Sequence, residues 1–263
     1  MARNRVSDWF PPVAVLAVFL AGWLLVSYVL LDPGIRFLLP PPQQVLFVGL
    51  QWDSLSEILD ALWSTTQVSL IGLGVAIVIG MTFAILMSQA RWVERSMYPY
   101  AVVLQTIPIL ALVPLIGFWF GFTINSRVIV CVLIALFPII TNTLFGLKSV
   151  DRGLHDLFSL HGASRLVRLV KLQLPAALPS IFTGFRIAAG LSVIGAIVGE
   201  FSFRQGAPGI GRLIDVYRSQ LRSEQLFTAI LFSSLLGLVI FWAFGFVSNA
   251  VLRHWHESAG VKE

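Results

Sequence analysis

Six stretches of this chain, at about residues 12–31, 62–89, 98–120, 126–147, 178–199 and 226–250, run for membrane length with almost no charge. They restrict the possible fold more than any other feature. A helix of about 20 apolar residues crosses the hydrocarbon core with every backbone group bonded inside the segment. The whole chain is 57% hydrophobic and 12% charged, with a mean hydropathy of +0.86, which is too little polar surface to cover a water-soluble globule of 263 residues. The expectation is an all-α membrane protein of six transmembrane helices. No hydrophilic region is long enough for a second folded unit, so a single domain is expected over 1–263.

The first apolar run, Val13 to Leu31, follows Arg3 and Arg5 but is longer than a signal-peptide core and has no small-residue cleavage site after it, so it reads as a retained anchor. The single cysteine, Cys131, lies inside the fourth stretch, and one thiol makes neither an internal disulfide nor a cysteine metal cluster. The net charge of +5 matters less than where the Lys and Arg residues fall, and a basic balance in a membrane protein is no sign of nucleic acid. With the N-terminus inside, eleven cations face the cytoplasm: Arg3, Arg5, Arg91, Arg95, Lys148, Arg152, Arg165, Arg168, Lys171, Arg253 and Lys262. Six face out (Arg36, Arg127, Arg204, Arg212, Arg218 and Arg222), and Arg186 stays inside a span. That bias predicts both termini in the cytoplasm.

Along the chain, Leu39-Pro40-Pro41-Pro42 cannot continue a helix and should end the anchor, and residues 51–61 suit a short interfacial amphipathic helix. The third span carries Gln105, Thr106, Pro108 and Pro114, a pattern read either as a packing kink or as a kink bordering a pathway. Asn142 lies among polar residues near the inner end of the fourth span. The fifth span is rich in Gly, Ala and Ser, Ser192 among them, which lets backbones approach closely; it also carries Arg186 and closes on Glu200. Ionisable groups at membrane depth should face protein or water, as a buried pair or as solute contacts. Gln105, Thr106, Asn142, Arg186, Ser192 and Glu200 are therefore the candidate pathway residues. After this span, a glycine-rich turn and the cations Arg212, Arg218 and Arg222 form a basic outer segment suited to an acidic partner or to plain solvation.

Residues 162–175, GASRLVRLVKLQLP, join two spans. Gly162 permits a sharp bend between two short helices. Arg165, Arg168 and Lys171 recur at three-residue spacing on about one helical face, and Leu174-Pro175 with Pro179 should reset the chain direction. The result is a protruding helix-turn-helix within the loop 148–175.

At this point the sequence resembles the permease subunits of importer-type ABC transporters, whose cytoplasmic loop reads EAA, three residues, Gly, nine residues, Ile, one residue, Leu-Pro. Aligned on Gly162, Leu172 takes the Ile position and Leu174-Pro175 the closing pair, while the EAA positions fall on Asp156, Leu157 and Phe158 and keep only an acidic first residue. Leu39-Pro40, Gln105-Thr106-Ile107-Pro108, Trp119-Phe120-Gly121, Gly146-Leu147-Lys148 and Leu174-Pro175-Ala176-Ala177-Leu178-Pro179 look like the nitrate/sulfonate/taurine group, which includes permeases for riboflavin and thiamine pyrimidine precursors.

The resemblance implies a bacterial inner-membrane transport subunit that pairs with a second permease copy, two ATPase subunits and an extracytoplasmic solute-binding protein, all within membrane lipid. Leu160, His161, Gly162, Ala163, Ser164, Arg165, Arg168, Lys171, Leu174 and Pro175 would meet the ATPase. ATP and Mg would bind that partner, leaving this chain without a cofactor. The solute implied is a vitamin precursor or a small organic anion.

A secondary transporter or channel is the nearest competing class and would need paired broken helices or several deep charges. A membrane-embedded enzyme would need clustered catalytic side chains. The four histidines, His155, His161, His254 and His256, all lie outside the spans, and no phosphate-cradling loop is present.

Overall fold

The protein is described by a computed structural model covering residues 5–203 and 208–252. Arg3, Arg204, Arg253 and Lys262 of the charge count, with His254 and His256, lie outside the described residues. Among these residues there are eleven α-helices and no strand. They are α1 (Arg5–Leu25), α2 (Pro42–Gly49), α3 (Trp52–Gln89), α4 (Arg91–Thr106), α5 (Ile109–Phe120), α6 (Ile124–Lys148), α7 (Arg152–Leu160), α8 (Arg165–Arg168), α9 (Leu174–Ser202), α10 (Ile210–Ser219) and α11 (Ser223–Leu252). Five helical stretches are long and apolar enough to cross a membrane, and α4 with α5 makes a sixth if that bent pair is one span.

Three local expectations are corrected. The 98–120 stretch is two helices meeting at 101° across Ile107 and Pro108; Pro108 has no N–H to continue the ladder, and its ring disfavours a helical residue before it. Residues 51–61 form no separate interfacial helix. They open α3, which runs unbroken for 38 residues because no Gly or Pro separates the amphipathic start from the apolar run. Leu174-Pro175 does not reset the chain direction either. α8 passes through a π turn at Leu169–Gln173 into α9, and this widened turn directly ahead of Pro175 accommodates the missing N–H without ending the helix.

The chain divides into two compact units, one made of residues up to Asp60 with Leu213–Phe232, the other of Ala61–Arg212 with residues from Ser233 on. In the first, the proline run is held by α1 and the π turn Val26–Leu30 after it: the Trp23 indole donates to the Pro40 carbonyl at 3.0 Å and the Ser27 hydroxyl to that of Leu39 at 2.8 Å. Pro42 then takes the first position of α2, where proline is pre-shaped for a helix. Thr228 donates to the Val45 carbonyl at 3.0 Å, and the Tyr217 hydroxyl donates to Glu57 at 2.7 Å. Burial and this carboxylate push the phenol well above the ordinary tyrosine range.

The second unit is built on α6 against α9. A Cβ at Gly195 would meet the Cys131 Cα at 2.7 Å and one at Gly199 the Arg127 Cα at 3.0 Å, so the two helices approach as only glycine allows. Around this contact Leu73 and Ala76 of α3, Ala135 and Ile139 of α6, Ala189 and Val193 of α9 and Ile240 of α11 form one buried cluster. Cys131 is buried within the packing and lies 3.2 Å from the Ser192 carbonyl.

Candidate functional site

Three places carry the candidate residues. The first is the loop 148–175. The Asp151 carboxylate caps α7 by accepting from the Gly153 N–H at 2.6 Å, and Ser164 caps α8. Between them Gly162 adopts φ +66°, the left-handed conformation that makes the bend, and among the described residues, its two chain neighbours aside, none lies within 4 Å of where its Cβ would be. The Arg168 guanidinium donates to the Ser159 hydroxyl at 3.1 Å and ties the two arms together.

The loop presents apolar side chains to the outside: Leu160 is 86% exposed and Leu166 72%, with Leu157 and Val170 also bare. The exposed leucines are interleaved with Arg165, Arg168 and Lys171, which leaves apolar and basic groups side by side on one bare turn. Beside it Ser88, Gln89, His155, Arg165, Arg168 and Gln173 line a polar cleft of about 180 Å³. The structure brings Leu160 through Arg168 together on this turn. Leu174 and Pro175 lie apart from it on the start of α9, where Leu174 packs against the cluster of Leu147, Ala177 and Ile181.

The second place is the bend between α4 and α5. Here Gln105 is exposed and makes no hydrogen bond to the described residues, while Thr106 turns its hydroxyl back onto the Val103 carbonyl at 2.9 Å. Gln105 lines a cavity of about 250 Å³ with Leu104, Ile109, Leu133, Phe137 and Leu191.

The other pathway candidates are dispersed. Asn142 donates to the Pro138 carbonyl at 2.9 Å, and Ser192 is fully buried with its hydroxyl on Ala189 O at 2.8 Å. Arg186 has no ion-pair partner among the described residues; its guanidinium stacks 4.1 Å from the Phe241 ring centre.

The third place is the end of α9. Glu200 is completely buried and accepts from the Thr65 hydroxyl at 2.8 Å and from the Gly211 N–H at 3.1 Å. Thr65 in turn accepts from the Ile210 N–H at 2.9 Å, and Arg127, 2% exposed, donates to the Phe203 carbonyl at 3.1 Å. Sequence reasoning counted Arg127 as an outer-loop cation and passed over Thr65. Nothing local marks either residue, because each acts on a segment far along the chain.

Of the basic outer set, Arg218 pairs with Asp215 at 2.8 Å, Arg222 sits 5.0 Å from the Tyr217 ring centre and Arg212 is half-buried. Among the described residues no group of three or more His, Cys, Asp or Glu is placed to hold a metal ion.

A helical membrane bundle with a bare, basic-apolar turn and a broken mid-chain span defines a transport subunit whose work depends on partner chains. Residues 76–258 match the family described as the binding-protein-dependent transport system inner membrane component, and the chain belongs to that family. It is the permease component of an ABC importer, with the ATPase a separate subunit and the site of action the inner membrane.

Among curated relatives, the formylaminopyrimidine transport permease protein ThiX of Halalkalibacterium halodurans is 40% identical, over 83% of this chain and 86% of its own. The riboflavin transport system permease protein RibX of Chloroflexus aurantiacus is 33% identical, over 84% of this chain and 82% of its own. The putative aliphatic sulfonates transport permease protein SsuC of Escherichia coli is 30% identical, over 98% and 95%. A solved chain of the inward-facing MetNI methionine ABC transporter shares the fold with a TM-score of 0.65 at 18% identity, covering 77% of this chain and 99% of that one.

Proposed function

We propose that this permease imports a thiamine-type pyrimidine precursor, delivered from outside by a solute-binding protein and driven by ATP bound with Mg on two partner ATPase subunits. The observation that carries the solute is the likeness to a formylaminopyrimidine permease at 40% identity over most of both chains. In this reading the whole chain, 1–263, is one permease domain that pairs with a second copy of itself, and both termini are cytoplasmic.

The turn from Leu160 to Arg168 then sits in a groove of the ATPase, with His161, Gly162, Ala163, Ser164 and Arg165 at its tip and Lys171, Leu174 and Pro175 carrying its motion into α9. Support comes from the 86% exposure of Leu160, an apolar side chain that water alone does not favour. Closure of the ATPase pair pushes this turn and shifts the permease between inward- and outward-facing states, a two-state element biased by nucleotide. Gln105 and Thr106 border the solute's path, with Asn142, Arg186, Ser192 and Glu200 shaping its walls. Arg212, Arg218 and Arg222 receive the binding protein through charge complementarity.

Proteoliposomes holding the permease, its ATPase and its binding protein test the solute. ATP-dependent uptake of labelled formylaminopyrimidine is expected. Uptake of an alkanesulfonate in its place would move the protein to the class of its sulfonate relatives, and uptake of neither would end the proposal.

A further inference from the structure

We infer that the cavity at the bend between α4 and α5 is a solute subsite inside the membrane, and that it selects an uncharged monocyclic heteroaromatic through Gln105 and against small organic anions. This rests on the import function proposed above and assigns the selecting contact within it. The bend leaves two kinds of hydrogen-bonding group beside one small apolar space.

Gln105, exposed and without a partner among the described residues, offers an amide N–H and an amide oxygen. Leu104 lines the cavity, and Pro108 has no N–H to give the Leu104 carbonyl one turn back, which leaves that carbonyl as a further acceptor at the bend. Phe137 supplies an aromatic wall, and Leu133 and Leu191 close the sides. A ring with amino and ring-nitrogen groups matches this set. Its face lies against Phe137. Its amino hydrogens go to the Leu104 carbonyl and the Gln105 oxygen, while a ring nitrogen accepts from the Gln105 amide.

An anion finds nothing comparable, because among the described residues no charged side chain lines the cavity. Of the cations on this unit's long helices, Arg186 is engaged on Phe241 and Arg127 on the Phe203 carbonyl. A sulfonate or nitrate would surrender its hydration with no counter-charge to replace it. Size adds to the argument. At about 250 Å³ the cavity is smaller than pockets for drug-sized ligands, which hold about 300–1,000 Å³, and it suits one ring better than a fused tricycle.

The test is uptake of labelled formylaminopyrimidine and of labelled ethanesulfonate, each offered alone, in proteoliposomes of the complete importer. Gln105→Leu, at an exposed position, should assemble with its partners yet lose uptake of the pyrimidine by about 10-fold or more, as a site built to hydrogen-bond its substrate does when a partner is removed. Gln105→Asn should restore part of the rate, and Leu133→Trp, which fills the cavity, should block it.

Pyrimidine uptake within twofold of wild type in both Gln105→Leu and Leu133→Trp overturns the subsite while leaving the proposed function standing. Uptake of ethanesulfonate by the wild-type importer overturns the selection by charge. A wild-type importer that moves neither solute overturns the function and the subsite together.

Discussion

The Thr65 hydroxyl donates to the Glu200 carboxyl group across 2.8 Å, joining residues 135 apart in the chain. The same hydroxyl accepts from the Ile210 N–H, so the start of α10 and the end of α9 share one anchor on α3. Glu200 also accepts from the Gly211 N–H. Gly209 lies so close to the carboxyl group that a Cβ there would overlap it. The segment around Gly209 is therefore shaped to cover a carboxyl group already in place.

Thr65→Val keeps the side-chain shape and removes the bond. Glu200 keeps the Gly211 N–H, but the buried Ile210 N–H loses its acceptor; an unsatisfied buried donor costs about 1–3 kcal/mol, so the unfolding midpoint in detergent should fall measurably. Glu200→Gln keeps an oxygen for Thr65 and Gly211 and should lose less than Glu200→Leu, which leaves the N–H of Gly211 without its acceptor. A Thr65→Val protein that unfolds at the wild-type temperature would show that this bond contributes nothing.

Gly162 is left-handed, a conformation that costs most other residues about 1–2 kcal/mol and asparagine less. Gly162→Asn should therefore retain most binding-protein-stimulated ATP hydrolysis, and Gly162→Val should lose more of it. Gly162→Trp separates strain from contact. Among the described residues, chain neighbours aside, none lies within 4 Å of a Cβ at 162, so the added bulk should be felt chiefly by a partner. Normal membrane levels with uptake abolished are expected, and normal uptake would remove the turn from the ATPase interface.

Leu160→Asp alters a side chain that is 86% exposed, so the permease alone should fold and insert as before. Placing a charge in an apolar contact should reduce copurification of the ATPase subunits by about 10-fold or more, as truncating interface anchors does. Undiminished copurification would mean the leucine is merely solvated.

Orientation is read by single cysteines at Ser164 and Ser219 in a Cys131→Ser background. Both positions are exposed, and the native thiol is fully buried. An impermeant maleimide applied to intact cells should label position 219 and spare 164. The reverse pattern would invert the topology drawn from the charge count.

The membrane class, the number and rough limits of the apolar stretches, and the family were all legible in the residues alone. Each of these rests on local composition or spacing: about 20 apolar residues suffice to span, and Gly162 with Leu174-Pro175 sits at a fixed interval in one short loop. The bend at Gly162 was legible for the same reason, since a glycine between two capped helices acts within its own neighbourhood.

Where side chains meet depends on how the helices pack. Pro108 announced a break but not its angle of 101°, because a kink's size depends on what packs against both arms. Leu174-Pro175 suggested a change of direction, yet the helix runs on because the π turn at Leu169–Gln173 accommodates the missing N–H. Its spacing from Gly162 places Leu160 in the turn, but that its side chain stands 86% exposed is a property of the folded chain. Arg127, Thr65 and Glu200 come together only because glycines let α6 press against α9 and α3 completes the packing, and such long-range contacts leave no periodic mark in a chain.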